Sequence, residues 1–114
     1  MAETLKGVVK RLTGTGDVTL LEASGSVEYT ILSITLCNQT TTDRTFSLWV
    51  NDADNQSGIG ANTDIYLYKD QSLPAKATFE HTSKLILSSG ANDIVADLDA
   101  SGTVDVIVSY LEQT

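Results

Sequence analysis

Two stretches, TVDVIVSYL (103–111) and RTFSLWV (44–50), alternate apolar and polar residues with a period of two. No window of a dozen residues repeats apolar side chains at helical spacing without Gly or β-branched interruptions. A period of two sends successive side chains to opposite faces of a strand. In the first stretch Val104, Val106, Val108 and Tyr110 share one face, opposite Asp105, Ile107, Ser109 and Leu111. In the second, Phe46, Leu48 and Val50 oppose Thr45, Ser47 and Trp49.

Between and before these lie KGVVKRL, DVTLLEA, SVEYTILSITLCN, TDIYLYKD, KATFEH, KLILSS and NDIVADL, set apart by turn-forming clusters such as NQTTTD, QSLP, SGA and DASG. Thr, Val and Ile supply 31 of the 114 residues, against one Pro, as suits a pleated, half-buried surface. The expectation is an all-β, antiparallel two-sheet β-sandwich of about eight to nine strands, with jelly-roll or immunoglobulin-like connections. Residues 1–16 form an N-terminal arm or edge strand and 17–114 the sandwich domain. In VEYTILSITLC, Val27, Tyr29 and Ile31 hold one parity and Leu32, Ile34 and Leu36 the other; a bulge near Ile31 and Leu32 would turn both sets inward.

Charge is unevenly placed within a net −8. Residues 1–11 hold Lys6, Lys10 and Arg11 against Glu3, a net +2, leaving −10 on the rest. An acidic body of this kind repels phosphate backbones and argues against nucleic-acid binding. The basic arm suits docking on an acidic neighbour, a second copy included. No stretch has the length and apolarity of a signal peptide or membrane span, so neither export nor membrane entry is expected.

Catalytic constellations are missing from the pattern. His81 is the sole histidine, sits near a strand end without a nucleophile elbow, and is expected at the surface or rim. Cys37 has no disulfide partner, and one Cys with one His is too few soft ligands for zinc. Asp97, Asp99, Ser101 and Gly102 imitate the start of a calcium loop, but Val108 stands where a bidentate Glu is needed. Asp52, Asp54 and Gln56 begin a similar pattern that reaches Thr63 at its twelfth position. Both are read as turns, the second within a hairpin loop over residues 51–64. No cofactor and no metal are expected.

Trp49, Tyr66 and Tyr68 lie off the aliphatic stripes of their strands. Aromatic side chains on an outer sheet face are typical interface anchors, whereas cross-strand pairing within one sheet would also satisfy them. With Lys6, Lys10 and Arg11 they make up the candidate interface residues. As a stacking platform for surface glycans, the three rings give a rival reading, a carbohydrate-binding module.

From Tyr29 onward the order YTILSITLCNQT, RTFSLWV, DIYLYKDQSLPAKATFEH, KLILSSGANDIV and ASGTVDVIVSYLE resembles small virion proteins of tailed bacteriophages, over roughly 85 residues. The likeness is carried by hydrophobic spacing, by Pro74, Gly90 and Gly102, and by the ending Ser109-Tyr110-Leu111-Glu112. The turn at Ser89–Asp93 is two residues longer than in that family. The resemblance implies a non-enzymatic β-sandwich made in the host cytoplasm and built into the virion. There it would act as a capsid decoration or cement protein, or in the tail, neck or fibre apparatus. Its partners would be its own copies, in trimers for instance, and major capsid or tail proteins.

Overall fold

A computed structural model describes residues 3–23, 27–53, 55, 58–87 and 92–113. Among them are nine strands and no helix, hence none long and apolar enough to cross a membrane. The strands are β1 (Glu3–Leu12), β2 (Val18–Glu22), β3 (Glu28–Asn38), β4 (Arg44–Asp52), β5 (Thr63–Leu73), β6 (Thr78–His81), β7 (Leu85–Leu87), β8 (Asn92–Leu98) and β9 (Val104–Gln113).

One sheet runs β1-β9-β3-β6, with β7 also pairing β3; the other runs β2-β8-β4-β5. Every pairing is antiparallel. β6 lies beside Ile34–Cys37 and β7 beside Tyr29–Ile31, so the two are segments of one interrupted edge strand. The chain therefore fills eight strand positions, four per sheet, and crosses between the sheets at nearly every connection. This is the jelly-roll order. In the immunoglobulin arrangement the first two strands share a sheet, whereas here they face each other across the core.

The inner faces follow the alternation. Val104, Val106, Val108 and Tyr110 of β9 meet Phe46 and Leu48 of β4 and Ile94, Ala96 and Leu98 of β8, all buried. Sheets packed this way exclude water from both inner faces, and burial of apolar area is the main force holding them together. Bulges correct the parity where the sequence breaks it. In β3, Ile31 faces Tyr110 and Ser33 faces Ser109, so Leu32 is the extra residue, and both Ile31 and Ile34 are buried. In β2 the extra residue is Leu20, which lets Leu20 and Leu21 both enter the core.

One sequence expectation changes here. The β4–β5 pairing extends to Asp52 and Thr63, so the hairpin loop covers 53–62 and is shorter than expected. The polar NQTTTD tract is tied down by a buried side chain: Asn38 Nδ2 donates to the Thr42 and Leu73 carbonyls at 3.0 Å each. Its Oδ1 accepts from the Thr40 amide and hydroxyl at 3.0 and 2.7 Å. The lengthened turn after Leu87 lies largely outside the described residues.

Asn38 satisfies four polar groups at a fully buried position. Asn38→Ala is expected to destabilise the fold by about 2–4 kcal/mol, since unpaired buried groups cost roughly 1–3 kcal/mol each. Asn38→Asp, of the same shape, removes both amide donors and should be at least as costly at neutral pH. Equilibrium denaturation of the three proteins checks both expectations.

Candidate interaction surfaces

Two outer sheet faces remain once the core is filled, and they differ in chemistry. On the β1-β9-β3 sheet, inner positions such as Val8, Val108 and Ile34 leave Val9, Ile107 and Thr35 pointing outward in one cross-strand row. A second row runs Leu5, Leu111, Thr30 and Ile86, and between them lies a row of Gly7, Ser109 and Ser33. Leu5 is 74% exposed, Val9 72%, Ile86 69% and Ile107 50%, so this face is broadly apolar and open. Beside it a groove of about 480 Å³ is lined by Val9, Lys10, Arg11, Asp105, Val106 and Ile107.

Two ion pairs tie β1 to β9. Lys6 Nζ lies 2.8 Å from Glu112 Oε2, and Arg11 Nε lies 2.6 Å from Asp105 Oδ1. Gln39 Nε2 also donates to Asp105. Hydrogen bonding and the charge of Glu112 raise the Lys6 pKa, and Asp105 does the same for Arg11. At the same end Tyr29 meets Tyr110 edge-on at 5.1 Å, and burial, followed by the nearby Glu112, raises the Tyr29 phenol. Lys10 is exposed at the groove.

The outer face of the β2-β8-β4-β5 sheet is acidic around an aromatic centre. Trp49 stacks on Tyr66, its cross-strand partner, with centroids 5.3 Å apart, and Lys69 Nζ sits 4.3 Å from the Tyr66 ring centre. Trp49 is only 3% exposed and Tyr66 41%, so the indole is covered while the Tyr66 ring stays open. Asp93 and Asp97 of β8 flank it. Burial and then Glu22 raise the Asp93 pKa; burial, then Asp17, raise that of Asp97, with Lys69 opposing and Asp70 adding.

Tyr68 does not share that face. Leu48 pairs with Tyr68 and Trp49 with Tyr66, so Leu67 is an extra residue that turns Tyr68 inward. A second irregularity on the Lys69–Asp70 side carries Asp70 at φ 51° and is fixed by the Asp70 amide donating to Ser47 Oγ at 3.0 Å. Tyr68 packs with Phe46 and Phe79, and its hydroxyl lies 2.8 Å from His81 Nδ1. His81 is therefore buried, not at the rim, because it shares the inner face of β6 with Phe79. Its Nε2 has no hydrogen-bond partner among the described residues. The three rings consequently form no common platform.

The calcium-like stretches serve as turns. Asp99 Oδ1 accepts from the Thr45 amide at 3.0 Å, and the Ser101 carbonyl accepts from Arg44 Nε at 2.8 Å. Asn55 and Asn62 adopt φ of 60°, and Asn55 Oδ1 accepts from the Gly60 amide at 2.8 Å. The Asp52 carbonyl accepts from the Asn62 amide, also at 2.8 Å. Asp54 and Gln56 lie outside the described residues. The apolar rows on β1 and β9 went unselected from sequence, although Ile107 and Leu111 on the second parity of TVDVIVSYL were the available signal.

No family model and no curated protein matches the chain. Among solved structures it is similar to a chain of the capsid structure of Helicobacter pylori bacteriophage KHP30, with 13% identity, a TM-score of 0.53, and 97% of this chain and 90% of that one covered. It is also similar to a chain of the Cyanophage Pam1 capsid asymmetric unit, with 17% identity, a TM-score of 0.50 and coverage of 96% and 84%. A chain of the infectious bursal disease virus Gx strain structure gives 9% identity and a TM-score of 0.51, with 96% and 32% covered. At these identities the likeness is one of fold.

Asp93 and Asp97 bind protons more tightly in the folded chain than in the unfolded one, so their contribution to stability increases as pH falls from neutral through their raised pKa values. Below the ordinary carboxylate range both states are protonated and no further gain follows. Asp97→Asn is expected to stabilise at pH 7 and to lose its advantage near pH 4, as read by thermal unfolding across pH. Tyr68→Phe, which leaves His81 without its partner, is expected to cost about 1–3 kcal/mol in denaturant unfolding.

Proposed function

We propose that this chain is a non-enzymatic structural protein of a bacteriophage particle, acting as a capsid decoration or cement subunit that binds capsid subunits and its own copies. The observation that carries this reading is the end-to-end fold likeness to chains of two phage capsid structures, which leaves little of any of the three chains uncovered. A jelly roll offers two broad sheet faces for contact with neighbours.

The surface supports the same reading. Exposed apolar rows on β1, β9 and β7 give a contact area of the kind that interface centres use. Leu5, Val9 and Ile107 join Tyr66 and Lys10 as the proposed contact residues, while Lys6 and Arg11 shape the surface through their pairing with β9. The sole histidine is buried against Tyr68, which removes the commonest general base from the surface. The glycan-platform reading loses its main support because only Tyr66 of the three rings is open.

Mass spectrometry of gradient-purified particles from the phage that carries the gene is expected to find the chain in amounts stoichiometric with the capsid. Its absence from particles would overturn the virion reading. Ile107→Asp, at a half-exposed position, should leave folding intact and lower incorporation about tenfold, equivalent to about 1.4 kcal/mol of contact energy. Incorporation at the unaltered level would remove this face from the interface.

A further inference from the structure

The free edge of β1 is left unexplained by either sheet face. β1 ends its sheet and pairs only with β9, in a register that runs unbroken from Glu3 opposite Gln113 to Leu12 opposite Val104. On its other edge no strand among the described residues pairs with it. Alternate N–H and C=O groups thus point off the sheet along ten residues. Edge strands are usually kept short, bulged, interrupted by Pro or studded with charge to prevent pairing with another chain; β1 is long, unbulged and free of Pro, and of its cations Lys6 and Arg11 are already paired to β9.

Its outer face reads Glu3, Leu5, Gly7, Val9, Arg11, a pattern that complements itself when reversed. We propose that β1 is the contact between two copies of this chain, which pair edge to edge and antiparallel about a two-fold axis at Gly7. The two β1-β9-β3 sheets then become one continuous sheet. This proposal rests on the edge alone and is independent of the virion reading.

Register follows from charge. A two-fold axis perpendicular to the sheet keeps both outer faces on one side, so directly opposed residues must have the same parity. With Gly7 on the axis, Glu3 faces Arg11 of the second copy, Leu5 faces Val9, Thr4 faces Lys10 and Lys6 faces Val8. Moving the axis to Lys6 sets Lys6 against its own copy and Glu3 against Val9. Moving it to Val8 sets Lys6 against Lys10 and Leu5 against Arg11. Directly opposed like charges are destabilising across strands, so Gly7 is the register that the side chains favour.

The chain itself leaves room for this contact. A Cβ at Gly7 would meet the Val108 carbonyl oxygen at an ordinary 3.6 Å, so local packing does not demand glycine there. Glycine within a strand often marks the close approach of another backbone. The Arg11 side chain is 58% exposed while holding Asp105, which leaves its fork accessible to a second carboxylate. Leu5 and Val9, each more than 70% exposed, would shield one another across the new pairing.

Sedimentation velocity of the full chain at micromolar to submillimolar concentration is expected to find a species of twice the 12.2 kDa chain mass. Leu5→Lys should return it to single-chain mass with an unchanged β-sheet circular dichroism spectrum. Register is read by oxidation in a Cys37→Ser background, where Gly7→Cys should give a disulfide-linked dimer and Leu5→Cys alone should not. A mixture of Leu5→Cys and Val9→Cys chains should cross-link, which keeps the register testable even if Gly7→Cys folds poorly. A wild-type chain of single-chain mass at every concentration would overturn the proposal. So would a dimer in which Leu5→Cys alone cross-links as readily as the mixture.

Discussion

The rest of the structure depends on β9. It is paired along its whole length on both sides, with β1 on one and β3 on the other, and its inner residues form the floor of the core. The pairing joins the two ends of the described chain, so most loop-closure entropy must be met before these contacts form. β9 also supplies the acids that hold the N-terminal strand: Asp105 for Arg11 and Glu112 for Lys6. The split between a basic start and an acidic body therefore has an internal meaning. The first acidic neighbour of the N-terminal cations is the chain's own last strand.

Strand existence and the inner faces of β4 and β9 were legible because alternation continued without interruption in those stretches. The bulge in β3 was legible too, since two apolar sets of opposite parity in one strand demand a shift if both are buried. β5 gave no such warning. TDIYLYKD alternates cleanly, yet two irregularities opposite β4 send Tyr66 outward and Tyr68 inward. A left-handed Asp70 marks one of them, and aspartate tolerates that conformation too generally for its presence to predict a bulge. His81 was misplaced for a different reason. Its shared parity with Phe79 pointed inward, but a strand-end histidine is polar enough that only the Tyr68 hydroxyl, contributed by the facing sheet, makes burial tolerable.

The jelly-roll order explains how β5 and β6 come to face each other. Each ends its own sheet on the same side of the sandwich, so the space between them must be closed by side chains alone. Tyr68, Phe79 and His81 do this, with Tyr68 and Phe79 meeting edge-on at 4.8 Å. On the opposite side β1 and β2 are the facing edges. There Val8, Val18 and Leu20 belong to or pack against the core, while β1 extends beyond the shorter β2. That difference leaves β1 the more exposed of the long edges.

The two outer faces differ in what it would cost to cover them. On the β2-β8-β4-β5 sheet Trp49 is already buried beside Tyr66, so a partner would gain little from the indole. It would also further desolvate Asp93 and Asp97, whose charged forms are already disfavoured by burial and neighbouring acids. The outer face of the β1-β9-β3 sheet has the opposite balance. Its apolar rows are open and its middle row is small, and Arg11 and Asp105 at its border neutralise each other. Covering the rows of Leu5, Val9, Ile86 and Ile107 removes exposed apolar surface from water. A partner therefore gains more apolar burial on the β1-β9-β3 sheet than on the acidic one, where Tyr66 is the large ring that stays open.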